Sequence, residues 1–341
     1  MCDTQHNNTS SSSKEERLRI QNRIDACISS LITPIEESKH IYSNLTNSTN
    51  NSFATILKRK IEKTTDIPLT DLRSRKAVKL TTTKYFPINI ATLNVRGFND
   101  PMKQLQILNY AKLMHLDIVG FSELHVNDSN FKKQSRFTTD QNYEFLWALN
   151  DDNLDLASGC ALAIKKDLAK HIQKKSTYKG RLIVVDFYFK RFNRIRLIHI
   201  YVLPTKQIQR KKELANELQK YLRDGYQRNF KLIVLGDFNE NMDQFIEFKA
   251  NGRSTNSHIF RFLNMLNHYR LFNSLETHLQ APYPMTWKNN TTGSRIDGIY
   301  ITETLLNESV TASVEDSTIP NISNHACVIT KLNQGLFFKL D

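Results

Sequence analysis

Cysteine is scarce in this 341-residue chain, and the four present, Cys2, Cys27, Cys160 and Cys327, fall at no paired spacing. That scatter excludes a disulfide framework and a cysteine-rich zinc site, and unpaired thiols fit a reducing compartment. Long apolar runs are also missing, so no stretch of the sequence suits a membrane-spanning helix. The opening residues, MCDTQHNNTSSSSKEE, lack the apolar core of a signal peptide and do not read as a transit peptide. The expectation is therefore an intracellular protein, in the nucleus or the cytoplasm, that is neither secreted nor membrane-bound. Triplets such as Asn44-Leu45-Thr46 then reflect only an Asn/Thr-rich composition. No internal repeat is visible.

What is present is an ordinary globular composition, 40% hydrophobic and 24% charged, enough to build a core. The formal charge is +13 and the pI about 9.5, a balance that points to a polyanionic partner. Composition changes near residue 84. Before it, TQHNNTSSSS and SNLTNSTNNS are polar tracts that cannot bury a core. Between them Ile20, Ile24, Ile28, Leu31 and Ile35 recur at helical spacing, interrupted by Pro34, and a basic amphipathic piece, FATILKRKIEK, follows. Residues 1–84 are thus expected to be a flexible, partly helical basic arm of unknown partner, in which LKRKIEK reads as a solvated face more readily than as a nuclear address. The arm holds 14 basic against 9 acidic residues, and residues 85–341 hold 33 against 25, so both parts are basic.

From residue 85 onward the texture is that of a compact α/β domain. Strands are predicted at INIATLNV, DIVGFS, CALAIK, RLIVVDFYF, IRLIHIYVL, KLIVLGDF, RIDGIYIT and HACVITKL. Helices are predicted at PMKQLQILNYAKLMH, where Pro101 suits a first turn, at TKQIQRKKELANELQKYLRD and at SHIFRFLNMLNHYR. Many consecutive strands among few helices favour a layered sandwich over a strict βαβα repeat.

The strand ends carry unusual polar residues. ATLNVRG ends one strand with Asn94, VGFSELH ends the next near Glu123, and IHIYVLP offers Tyr201. LIVLGDFNENMD runs apolar residues into Asp237 and Asn239, which period-two geometry points the same way. SRIDGIYI supplies Asp297, and SNHACVI puts His325 at the mouth of the last strand. Each alone has a dull explanation as a turn former, a core aromatic or a structural pair. Six in one domain, in this order, point to phosphate chemistry.

The order Asn-Val-x-Gly, Glu, Tyr, Gly-Asp-Phe-Asn, Ser-x-Ile-Asp, Ser-x-His resembles the endonuclease/exonuclease/phosphatase superfamily. More narrowly, LNVRGFNDPMKQLQILNYAKLMHLDIVGFSELHVND is similar to the opening of the endonuclease domains of non-LTR retrotransposons, which are abasic-site endonuclease-like. The resemblance covers about residues 85–341 and implies a four-layer α/β/β/α sandwich, two packed mixed β-sheets flanked by helices. It implies a Mg²⁺-dependent DNA endonuclease, with Mn²⁺ as a substitute, acting as a monomer on nucleic-acid phosphodiesters. Glu123 is expected to hold the metal, which offsets charge on the phosphate and the leaving oxygen. Asp237 is expected to orient or deprotonate the attacking water, and Asn94 and Asn239 to donate hydrogen bonds to the phosphate. Asp297 is expected to fix the tautomer of His325, a polarising group or general acid/base. Tyr201 is expected to contact the phosphate, and Trp287 stands where relatives place an aromatic lining the pocket.

The chain departs from the pattern at several points. It reads Ser-Asn-His where the family has Ser-Asp-His, so Asn324 replaces a carboxylate near the metal at the loss of one negative charge. Ser122 stands where Gln is common, and Arg96 where some relatives carry a second acidic ligand. Two other readings stay open: a phosphomonoesterase of the same fold acting on a phosphoinositide or nucleotide, and a decayed relic that binds nucleic acid without cleaving it. Basic clusters at KRFNRIRL and KQIQRKKE favour nucleic acid.

Overall fold

The computed structural model describes residues 87–126, 140–149, 158–189, 193–204, 207–253, 258–315, 322–333 and 335. The expected arm lies outside the described residues, which all belong to one compact unit, Thr81–Asp341.

Two six-stranded sheets form the centre. The first contains β1 (Ile88–Asn94), β2 (Ile118–Ser122), β3 (Tyr143–Ala148), β4 (Cys160–Lys165), β13 (Ser309–Glu315) and β14 (Cys327–Leu332) in the order β13-β14-β1-β2-β4-β3. The second contains β5 (Ile172–Tyr178), β6 (Leu182–Phe189), β7 (Asn193–Tyr201), β8 (Lys231–Asp237), β9 (Leu271–Asn273) and β12 (Asp297–Thr302) in the order β5-β6-β7-β8-β12-β9. Each is mixed: β1 with β2 and β7 with β8 run parallel, and the other pairs are antiparallel. A two-stranded ribbon, β10 (Trp287–Lys288) with β11 (Gly293–Ser294), projects separately.

Alternation along the central strands builds the layers. Ile88 and Ile90 of β1, Leu197 of β7, Ile233 and Leu235 of β8 and Ile299 of β12 meet in the core between the sheets. The intervening Ala91 and Leu93 face outward against α1 (Pro101–Leu113). On the other sheet, Ile198, Ile200 and Val234 face outward against α3 (Ile208–Gln227) and α5 (Arg261–His268), after the one-turn α2 (Lys166–Ala169) and α4 (Met242–Ala250). Two short helices, α6 (Ser274–His278) and α7 (Glu303–Leu306), complete the fold. The result is the expected four-layer sandwich. Local chemistry fits: the Asp100 carboxylate accepts from Met102 N at 2.9 Å to cap α1, and Leu214, Leu218 and Leu222 give α3 a buried stripe.

The same alternation positions the polar strand ends. Continuing the inward-facing series 88-90, 197, 233-235 and 299 by two-residue steps reaches Asn94, Tyr201, Asp237 and Asp297. Register aligns them, since Asp237 pairs with Tyr201 on one side and Asp297 on the other. The mouth of the inter-sheet core is therefore lined with polar groups.

Candidate active site

Asn94 is the link between the two sheets. Its Nδ2 donates to Glu123 Oε2 and to Asp237 Oδ2, each at 2.8 Å, while its Oδ1 accepts from Arg96 N at 3.0 Å. Both amide hydrogens are thus committed to carboxylates. In this structure the amide acts as a spacer that holds two acidic groups at fixed separation. Asn239 is held differently. Its φ of +48° ends the strand pattern, so it does not simply repeat the direction of Asp237. Its Nδ2 donates to Val202 O at 2.7 Å, and its backbone N donates to Asp237 Oδ1 at 2.9 Å. One amide hydrogen is therefore spent within the protein, and the main-chain N–H is what orients Asp237.

Across from this pair stands a dyad. His325 Nδ1 lies 2.9 Å from Asp297 Oδ2, with both residues buried. The same carboxylate oxygen accepts from the Thr286 hydroxyl at 2.8 Å, and that hydroxyl oxygen accepts from the backbone N of Ile296 and of Asp297, each at 3.0 Å. Asp237, Asp297 and His325 each bring a donor atom within 4.8 Å of the others. We read this trio as a dyad beside a carboxylate and not as a metal cage, because the Nδ1 atom is already bound to Asp297.

Electrostatics divides the labour. Burial works against ionisation of Glu123, but the His125 ring and the Asn94 amide outweigh it and hold the carboxyl below its usual range. Asp237 moves the other way: complete burial and the neighbouring Asp297 push its pKa up, with His325 and Asn94 opposing. Burial pulls the His325 ring down, but Asp297, with Asp237 and Glu123 behind it, wins and pushes it up to about 9. Tyr201 is pushed up by burial and by Glu123 and Asp237, so it stays a neutral phenol. Its ring lies 4.5 Å beneath the buried Arg181 guanidinium, a cation close to this acidic cluster.

The backbone here is strained, a pattern common at functional sites. Arg96, Glu123, His125 and Asn239 all adopt φ between +45° and +60°. A cavity of about 790 Å³ opens at this mouth, lined by Arg96, Thr286, Asn289, Asn324 and His325. Trp287 does not line it. The Trp287 main chain instead bridges that of His325, while its sequence neighbours Thr286 and Lys288 face the cavity.

The donor set fits a hard cation, which favours oxygen ligands. Asn324 Oδ1 and Asp297 Oδ1 are buried and have no hydrogen-bond partner among the described residues, and Glu123 is held ionised. Asn324 shares the His325 cavity, and Glu123 feels the His325 charge.

Four residues that support this arrangement were given no role from sequence: Thr286, Arg181, His125 and Ser323. His125 Nε2 lies 3.1 Å from Glu123 Oε1, and its place in SELH, two residues after Glu123, was the available signal. The Ser323 hydroxyl accepts from His325 N at 3.1 Å, the local form expected of Ser-x-His. Thr286 and Arg181 are distant in sequence and had none.

Among solved structures, the chain is similar to NExo, a 3′ phosphatase from Neisseria bound to a product DNA hairpin, with 18% identity, a TM-score of 0.58, and coverage of 72% of this chain and 99% of that one. It is similar to the AP endonuclease LMAP from Leishmania major at 14% identity and a TM-score of 0.58, covering 72% of this chain and 88% of that one. An AP endonuclease from Archaeoglobus fulgidus gives 16% identity and a TM-score of 0.56 over 72% and 99% of the two chains. A comparison with curated proteins returns no match. At these identities the structural likeness speaks to the shared sandwich, and fold alone does not fix chemistry. The sequence of residues 91–325 carries the assignment further, for it matches one family over more than half of the chain. The chain belongs to the endonuclease/exonuclease/phosphatase family.

Proposed function

We propose that the protein is a divalent-metal-dependent DNA endonuclease of the retroelement type, which nicks phosphodiesters with Mg²⁺, or Mn²⁺ in its place. The observation that carries this reading is the Asn94 bridge, which holds an ionised Glu123 beside a buried Asp237 and opposite the Asp297–His325 dyad. Glu123 and Asn324 are the residues that would hold the ion. When bound, the ion supplies charge neutralisation on the phosphate and on the leaving oxygen.

The protein's own groups account for the rest. Asp237, its pKa raised by burial and by Asp297, accepts the proton of the attacking water. Asn94 and the Asn239 backbone N–H fix both of its oxygens and so set its direction. His325 is cationic at neutral pH and serves as an electrophile toward a phosphate oxygen, oriented by Asp297 and Thr286. Tyr201, a neutral phenol, adds a hydrogen-bond donor beside Asp237 and Glu123.

Nucleic acid is favoured as substrate by the +13 charge and by structural neighbours named as AP endonucleases and as a 3′ phosphatase with bound DNA hairpin. The retroelement type rests on the LNVRGFNDP…SELH opening. The test pairs two assays in Mg²⁺: nicking of supercoiled plasmid, and release of inorganic phosphate from a phosphoinositide and nucleotide panel. Nicking without phosphate release is expected. Phosphate release without nicking overturns the reading in favour of a phosphomonoesterase.

A further inference from the structure

Beyond Asn239, on the α3 side of the site, lies a second cavity of about 230 Å³. Lys211 of α3 and Arg261 at the start of α5 bring cations to it, and Asn239 and Gln244 bring amides. Ile208 and Ile259 line it too, although they are 58% and 47% exposed. Lys211 is the unusual member. It is only 5% exposed, yet among the described residues its ammonium makes no ion pair and no hydrogen bond. Buried charges are normally paired, so a lysine that is nearly buried, lines a cavity and has no ion pair among the described residues marks a place for an anion.

Glu240 lines the same cavity but does not fill that place. Its Oε2 accepts from Phe262 N at 3.1 Å and Leu263 N at 3.0 Å and its Oε1 from Phe262 N at 3.2 Å, which commits the carboxylate to the first turn of α5. Burial pushes its pKa up to about 7, which weakens it further as a counter-charge. The lysine pKa is itself lowered by burial, against the opposing pull of Glu240 and Asp237, so the active-site carboxylate lies within electrostatic reach.

We propose that this cavity is a second phosphate subsite, in which Lys211 binds the phosphodiester group of a nucleotide neighbouring the one cleaved. The proposal rests on the nucleic-acid reading above. Asn239 joins the two places, because its backbone N–H holds Asp237 while its side chain borders the cavity. A strand crossing the site would run from the Arg96–His325 cavity over Asp237 into the Lys211 cavity, with the two isoleucines against its sugars. Lys211 is then a substrate-binding residue and takes no part in bond breaking.

The test is binding of a labelled DNA duplex without divalent metal, measured across a salt series for the full chain and for Lys211→Met, Lys211→Arg and Ile208→Glu. Loss of one phosphate contact weakens binding roughly tenfold and lowers the slope of log K against log salt by about 0.9. Lys211→Met is expected to show both effects and Lys211→Arg to restore the slope. Ile208→Glu, at an exposed position that tolerates substitution, is expected to weaken binding with no loss of thermal stability. Duplex binding with an unchanged slope in Lys211→Met, or weakened binding that Lys211→Arg leaves uncorrected, overturns the subsite and leaves the endonuclease reading standing. Wild-type protein that binds no duplex even at low salt overturns both.

Discussion

Replacing Asp297 by Asn isolates the electrostatic core of the site. In the wild-type protein, Asp297 Oδ2 lies 2.9 Å from His325 Nδ1 and holds the ring's pKa near 9 against a burial effect of opposite sign. Removing that charge leaves burial opposed only by the Asp237 and Glu123 carboxylates, so the imidazole is expected to titrate well below 9. The consequence for stability has a definite sign. A His raised from about 6.5 to about 9 contributes roughly 3 kcal/mol that is fully present below pH 6.5 and lost as pH rises through 9. His325 is only 5% exposed at its side chain, so solvent screening removes little of this. Glu240 and Asp237, each pushed up to about 7, add falls of their own mainly below pH 7. Glu240 titrates alike in both proteins, whereas Asp237 loses the upward push of Asp297 in the variant, which is why the imidazole itself is followed by NMR. The assay is imidazole titration by NMR, with urea unfolding at pH 6.5 and pH 9.5. The wild type should become about 3 kcal/mol less stable across that range through His325, and Asp297→Asn should lose most of this component. An imidazole that titrates near 6.5 in the wild type, or an unaltered pH dependence in the variant, refutes the reasoning.

Three other outcomes are expected. Asn94→Ala frees Glu123 and Asp237 from their shared amide, and kcat should fall about 10²-fold or more, as for loss of one preorganised polar group, while a mild stability loss of about 2 kcal/mol is read by denaturant unfolding. Asn324→Asp puts a charge in place of an amide whose oxygen has no hydrogen-bond partner among the described residues, and isothermal titration with Mg²⁺ should show roughly tenfold tighter binding; equal affinity would place that side chain away from the ion. Gly236→Ala should cost about 3 kcal/mol or more, seen as a lowered Tm. The new Cβ would collide with the Ile200 carbonyl of the parallel neighbour strand, at a φ of +148°.

The central strands were legible because burial on both faces writes long apolar runs into β1, β2, β7, β8 and β12. The edges were not. β3, β5, β9 and β13 are the outermost strands of the two sheets, and none was anticipated. β5 reads IQKKSTY, with exposed Lys174 and Lys175, because an edge strand keeps polar and charged residues that discourage further pairing. The convergence of Asn94, Tyr201, Asp237 and Asp297 was readable as strand-end polarity, since alternation sends them to one face. What each polar group binds was not readable. The resemblance implies a phosphate donor at Asn94, and its link to Asp237, 143 residues away, is visible only in the fold. Thr286 likewise gains its place only when the ribbon before β12 folds back on Asp297.

Nicking of supercoiled plasmid, followed under single-turnover conditions in Mg²⁺ for wild type, Asp237→Ala and His325→Ala, tests the whole account most directly. The account predicts open-circular product from the wild type and losses of at least about 10²-fold in each variant, with DNA binding retained. Wild-type protein that binds the plasmid yet never nicks it in Mg²⁺ or Mn²⁺, or variants that nick at the wild-type rate, would contradict it.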